Sequence, residues 1–303
     1  MDNTILRVSH LTKKYGSKVA LDDVNFEVKK GRIYGFIGEN GAGKTTAIRA
    51  ITGLTPIAPK TVELFGESTQ RGLEKARRNM GCLVERPILL KNKTAVENLR
   101  LQQLLFGQTD DEKIQQILER VGLSDVKNKK VKDYSLGMKQ RLGIAMALIN
   151  NPELLVLDEP VNGLDPMGMV DVRELLRSLC EDDGITILIS SHILTELYQL
   201  VTDYIIISKG KILETLSKEE LDEKCSAYII LETAQTQDAL KVLKEHDVKS
   251  AVSKNETIKI YDNVNMKDVA KWLFNADILV TLLTKYEKSL ENYYVELLGG
   301  NKE

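Results

Sequence analysis

The segment Gly38-Glu39-Asn40-Gly41-Ala42-Gly43-Lys44-Thr45 constrains this chain more than any other. It fits the pattern G-x-x-x-x-G-K-[ST], follows an apolar run at 33–37 and precedes a helical stretch at 46–51. Strand, glycine-rich loop and helix in that order predict an α/β fold whose loop cradles phosphate. Glycines let successive backbone N–H groups face the β- and γ-phosphates of a nucleotide. The helix N-terminus adds unpaired donors and the positive end of its dipole. Lys44 brings a point charge to the same oxygens, and the Thr45 hydroxyl can ligate Mg²⁺. Gly38, Asn40, Gly41, Ala42, Gly43, Lys44, Thr45 and Thr46 are therefore the first candidates for nucleotide contact.

A second segment completes the chemistry. Leu154-Leu155-Val156-Leu157-Asp158-Glu159-Pro160 is an apolar strand that ends in two carboxylates. A buried parallel strand delivers side chains at its C-terminal end, where ligands sit in open α/β sheets. Asp158 is placed to hold Mg²⁺, through water. Glu159, one step further, is placed to act as general base on an attacking water, an effect worth roughly 10² to 10⁴ in rate.

The rest of the chain fits around these two segments. Apolar runs at 33–37, 154–157, 185–189 and 205–207 alternate with helical patterns, which predicts a mostly parallel sheet. Runs at 5–8 and 21–28 predict an antiparallel edge sheet. Between Pro87 and Asn150 the pattern is helical. Thr94-Ala95-Val96-Glu97 is a capping box that opens a helix carrying Leu99, Leu101, Leu104 and Leu105. Ile114, Ile117, Leu118 and Val121 mark the next helix, and the block at about 86–150 reads as a helical subdomain. After Lys209-Gly210-Lys211 the character changes. The expected division is a nucleotide-binding domain at 1–212 and a small accessory α+β domain at 213–303, with Trp272 in the latter's core.

Composition excludes several classes. With 303 residues, 43% hydrophobic, 28% charged and a net charge of -2, the chain reads as an ordinary globular protein. A dedicated nucleic-acid binder more often carries a strongly basic face, and here Lys and Arg are spread out, so no nucleic-acid partner is expected. No stretch approaches the ~18 to 20 apolar residues of a membrane span, and the first residues lack a signal-peptide layout. A cytoplasmic location is expected. Cys82, Cys180 and Cys225 lack metal-ligand spacing and read as reduced, mostly buried thiols.

Further segments bring a resemblance into view. Tyr134-Ser135-Leu136-Gly137-Met138-Lys139-Gln140-Arg141 resembles the signature segment of ABC ATPases, whose usual form is LSGGQ. Asn162-Gly163-Leu164-Asp165-Pro166 is similar to that family's D-loop, and Ser190-Ser191-His192 to its switch histidine. Tyr15, in Lys13-Lys14-Tyr15-Gly16, matches the aromatic that stacks on adenine. The segments run in family order over residues 1 to about 212. The resemblance implies a P-loop ABC ATPase fold that hydrolyses ATP with Mg²⁺ and drives a separately encoded membrane permease. It further implies a head-to-tail pair of copies. Ser135 and Gly137 of one copy, with Asp165, would meet the nucleotide held by the other, and His192 would contact the γ-phosphate.

Two positions depart from the family pattern. The signature's first glycine is Leu136, which is harmless provided its backbone avoids a positive φ. The glutamine expected after Met80-Gly81-Cys82-Leu83-Val84 is Glu85. A carboxylate there can ligate Mg²⁺ or orient water, but it adds charge beside Asp158 and Glu159, which predicts slower hydrolysis. SLGMKQRLGIA, VERP, TAVENL and the tail at 289–300 resemble the bacterial branch serving bacitracin resistance, lantibiotic immunity and related peptide or drug efflux. That resemblance implies an exporter subunit, peripheral on the inner face of the cell membrane. The segment Arg86-Pro87-Ile88-Leu89-Leu90 reads either as subdomain core or as a groove for a permease helix. A soluble ABC-type ATPase acting on nucleic acid or the ribosome is the alternative. Such proteins usually join two cassettes or carry long basic insertions, and this chain has neither.

Overall fold

Strands β1 (Thr4–Tyr15) and β2 (Lys18–Lys29) pair antiparallel, and the second alternates inward Phe26 and Val28 with outward Glu27 and Lys29. Such alternation suits a sheet covered on one face. The third strand, β3 (Ile33–Ile37), is buried at every residue and leads through the glycine loop into helix α1 (Lys44–Ile51). Strand β4 (Val62–Leu64) returns to pair with β1, giving the edge sheet order β2-β1-β4. This computed structural model describes residues 3–225, 228–252, 257–261, 264–286 and 289–299.

Helix α2 (Gln70–Ala76) and strand β5 (Met80–Leu83) precede three helices, α3 (Ala95–Leu105), α4 (Asp111–Arg120) and α5 (Leu136–Leu148). The capping box forms: the Thr94 hydroxyl accepts from the Glu97 N–H, and the Glu97 carboxylate accepts from the Thr94 N–H. The Lys93 ammonium and that N–H hold the Glu97 carboxyl down to about 2. Of the leucines on α3, Leu99 is buried while Leu101, Leu104 and Leu105 are exposed. Then follow β6 (Leu154–Asp158), α6 (Pro166–Glu181), β7 (Thr186–Ser191), α7 (Leu194–Tyr198), β8 (Asp203–Ser208) and β9 (Lys211–Ser217).

The main sheet runs β5-β6-β7-β3-β8-β9, parallel except for β9, which pairs antiparallel with β8. Strands β6, β7 and β8 are buried at every residue, as their unbroken apolar runs predict for strands covered on both faces. Register brings the functional segments to one edge, because Ile37 lies beside Ser191 and Asp158 beside Ser190. Only β7 separates the phosphate loop from the carboxylate strand, a gap of about 10 Å that a lysine side chain can cross.

The chain divides into two units, Met1–Lys218 and Glu219–Glu303. The boundary at 212 read from sequence falls inside β9, which stays with its partner β8 in the first unit. Helix α8 (Lys218–Lys224) leads to β10 (Tyr228–Thr233), α9 (Thr236–Glu245), β11 (Ser250–Val252), β12 (Ile258–Ile260), α10 (Met266–Asn275), β13 (Val280–Tyr286) and α11 (Leu290–Leu297). Its antiparallel sheet, ordered β11-β12-β10-β13, buries Ile229, Leu231, Ile258 and Ile260 with Ala239, Leu243, Val269 and Leu273. Trp272 packs partly buried on that core, its ring stacked on His246 at 4.0 Å. Gly300, at the end of the tail resemblance, lies outside the described residues.

Two expectations need correction. Cys180 is buried, but Cys225 is only partly so and Cys82 is exposed, because β5 is an edge strand. Ile88 and Leu90 are 91% and 50% exposed, so this stretch is not subdomain core. None of the described helices is long and apolar enough to cross a membrane.

Helix α5 lies so close to β5 that a Cβ at Gly81 would come 2.3 Å from the Ala147 carbonyl oxygen. Gly81→Ala must push α5, and with it the segment at its N-terminus, away from the sheet. The expected cost is about 1–3 kcal/mol, read as a lower urea midpoint with an unchanged slope.

Candidate active site

The glycine loop has its shape for steric reasons. Gly43 takes φ 115, and a Cβ there would meet Leu21 Cδ2 at 2.8 Å and the Ala20 carbonyl at 2.9 Å. At Gly38 a Cβ would sit 2.4 Å from the Ile207 carbonyl oxygen. Gly43 is also the N-cap of α1 and offers no side-chain acceptor, so the first N–H groups of that helix stay available. Ala42 is buried, Thr45 and Thr46 are half-buried, and Asn40 and Gly41 are exposed at the loop's tip.

Lys44 is 5% exposed, and a buried ammonium needs partners. It donates to the Gly38 carbonyl at 2.7 Å and the Glu39 carbonyl at 3.2 Å, and lies 3.3 Å from Glu159 Oε1. The other Glu159 oxygen accepts from Asn162 Nδ2 at 3.1 Å and lies 3.2 Å from His192 Nδ1. Glu159 thus joins the end of β6 to the phosphate loop and to the segment after β7. Its backbone takes φ 48, a left-handed conformation costing about 1–3 kcal/mol for a residue with a Cβ. Pro160 follows, and the residue before a proline normally prefers extended backbone.

One hydroxyl secures this strained corner. Ser190 Oγ donates to Asp158 Oδ1 at 2.6 Å and accepts from the Glu159 N–H at 2.9 Å. In the sequence, the signal for Ser190 is a serine pair ending an otherwise apolar strand. Asn162 and Gln140 also belong to the site and carry no local sequence signal. Gln140 is buried and lines the cavity, and its Oε1 finds no hydrogen-bond partner among the described residues.

That cavity, of about 750 Å³, is lined by Thr45, Asp158, Glu159 and Glu85 together with Leu136, Lys139 and Gln140. A threonine hydroxyl and a buried carboxylate facing one space are hard oxygen donors. Such a pair fits Mg²⁺, which takes one or two protein oxygens beside phosphates and waters. Glu85 also has a left-handed backbone, φ 63, and its carboxylate pairs with the Arg49 guanidinium rather than with Thr45 or Asp158.

Other expected contacts lie outside this cavity. Ser135 is exposed and caps α5, accepting from the Met138 N–H at 3.2 Å. Leu136 is the first helical residue and has no positive φ, so the departure at that position strains nothing. Gly137 follows in the same turn, where a Cβ would make ordinary contact with Leu164 Cδ2 at 3.9 Å. Asp165 is exposed and caps α6, accepting from the Gly168 N–H at 2.9 Å. Tyr15 ends β1, 48% exposed, with Lys13 Nζ 5.6 Å from its ring centroid. None of these four residues, Tyr15, Ser135, Gly137 and Asp165, lines the cavity of Thr45 and Glu159.

Ser190→Ala removes both hydrogen bonds while keeping the fold of β7. The expected result is nucleotide hydrolysis slowed about 10- to 100-fold, the weight of a hydrogen bond to a charged group. Nucleotide affinity, measured by titration calorimetry, should stay within a few-fold, since the phosphate loop is untouched.

Known proteins resemble the chain in sequence and in fold. The family model described as ABC transporter matches residues 21–162. The bacitracin transport ATP-binding protein BcrA of Bacillus licheniformis is 42% identical over 301 residues, 98% of each chain. The lantibiotic transport ATP-binding protein SrtF of Streptococcus pyogenes is 40% identical over 231 residues, 75% of this chain and 99% of its own. Among solved structures, an ATP-binding cassette of an ABC transporter in its ADP conformation superposes with TM-score 0.65 and 28% identity, over 72% of this chain and 92% of its own. A dimeric cassette in a post-hydrolysis state bound to ADP and phosphate superposes with TM-score 0.63 and 26% identity, over 70% and 98% of the two chains. With its phosphate loop, carboxylate strand and signature helix in this order, the chain belongs to the ATP-binding proteins of the ABC transporter family.

Proposed function

We propose that the chain is the ATP-hydrolysing subunit of a membrane exporter of antimicrobial peptides or drugs. The observation that carries the enzymatic part is Glu159, fixed between Lys44 and His192 at the end of a buried strand. The cargo class is supported by full-length similarity to a bacitracin transport protein and by similarity to a lantibiotic transport protein.

The chemistry follows from the side chains. Lys44 turns from the carbonyls and Glu159 to the β/γ oxygens when ATP enters, and the free N–H groups of α1 take the same phosphates. Thr45 and Asp158 would hold Mg²⁺, whose charge offsets that of the phosphate oxygens. Released from Lys44, Glu159 accepts the proton of the attacking water, and His192 stays within reach of both Glu159 and the γ-phosphate. Tyr15 stacks on the adenine.

Ser135 and Asp165 are exposed helix caps, and neither they nor Gly137 line the cavity of their own chain, which is what a head-to-tail pair requires. In that pair each nucleotide lies between the phosphate loop of one copy and the signature helix of the other. The larger unit is the nucleotide-binding domain, with its helical subdomain at about 86–150, and the smaller unit is accessory. A groove lined by Leu54, Val84, Pro87, Ile88, Phe106 and Met146 receives a cytoplasmic helix of the permease. The protein would then sit on the inner face of the cell membrane.

Glu159→Gln should keep ATP binding, lose at least about 100-fold in hydrolysis and accumulate an ATP-bound dimer on size-exclusion chromatography. Full turnover in that variant would remove Glu159 from the base role. Lys44→Ala should lose ATP binding in calorimetry, and retained micromolar affinity would contradict the cradle assignment.

A further inference from the structure

A glutamate at position 85 puts a third carboxylate on a cavity that already holds Asp158 and Glu159 and must accept a triphosphate. Lys44, the cation at the head of α1, is already committed to Glu159 and to two carbonyls. Glu85 is met instead by Arg49. Arg49 lies four residues after Thr45 on α1, so both side chains share one helix face, one turn apart. The helix that presents the metal-binding hydroxyl thus also carries the guanidinium that holds Glu85. Glu85 keeps a left-handed backbone, φ 63, that its Cβ disfavours, and Arg49 is the partner its carboxylate has there.

We infer that Arg49 is a positioning residue for the nucleotide site: it neutralises Glu85 and keeps that carboxylate paired to α1 rather than turned onto Thr45. A carboxylate can then stand where the family pattern has a neutral amide. The pair matters to the nucleotide rather than to the fold. Arg49 and Glu85 are 43% and 57% exposed, and a pair so open to water adds little to stability. Arginine suits the role because it stays charged at every accessible pH. This role rests on the ATP-site reading given above.

The test is a double-mutant cycle read by calorimetry with ATP in the absence of Mg²⁺, alongside steady-state hydrolysis of MgATP. Arg49→Met should weaken Mg²⁺-free ATP binding about five- to tenfold, the scale of one nearby charge partly screened by water. Adding Glu85→Gln to Arg49→Met should return the affinity to that of Glu85→Gln alone. Arg49→Lys should lie within about twofold of wild type, because it keeps the charge. Two outcomes would overturn the inference: Arg49→Met binding like wild type, or a double variant as weak as Arg49→Met. A wild-type chain that binds no ATP would instead overturn the site reading, and this role with it.

Discussion

The site depends on one strand lying between two others. Strand β7 separates β3, which carries the phosphate loop, from β6, which carries Asp158 and Glu159. Ser190, near its end, donates a hydrogen bond to Asp158 Oδ1 and accepts one from the Glu159 N–H. That hydroxyl holds a strained φ at Glu159, and the strain turns the carboxylate toward Lys44 and His192. These strands are buried at every residue, so close packing on both faces of the sheet holds the arrangement in place.

The charges of the site satisfy one another. Lys44 is held by two carbonyls and Glu159, and removing those partners without replacing them would strand a buried ammonium. In the mechanism we propose, phosphate oxygens would replace them, and binding ATP would free Glu159 to act as the base. Both residues with strained backbones that line the cavity, Glu85 and Glu159, are carboxylates, and each is met by a cation from α1. Helix α1 therefore supplies a cation to each of these two carboxylates.

Much of this was legible in the sequence. Residues 38–45 fixed the strand–loop–helix unit because glycine and lysine at those spacings have few other uses, and the runs at 33–37, 154–157 and 205–207 became buried parallel strands. What sequence could not supply was lateral order. That Ser190 reaches both Asp158 and the Glu159 N–H follows from β7 lying beside β6, which no local pattern encodes. The Arg49–Glu85 pair joins residues 36 positions apart and was hidden for the same reason. Cys82 was misread because an edge strand exposes one face, and strand composition does not say which strand is the edge.

The central claim is that each working site is shared, with Lys44 and Glu159 from one copy and Ser135 from another. Mixing two inactive variants, Lys44→Ala and Ser135→Arg, tests it directly through ATP hydrolysis. Mixed pairs would contain one site with both halves intact, so activity should rise well above either variant alone, toward about a quarter of wild type if pairing is random and sites act independently. A mixture as inactive as its parents, from variants shown to exchange partners, would contradict the account.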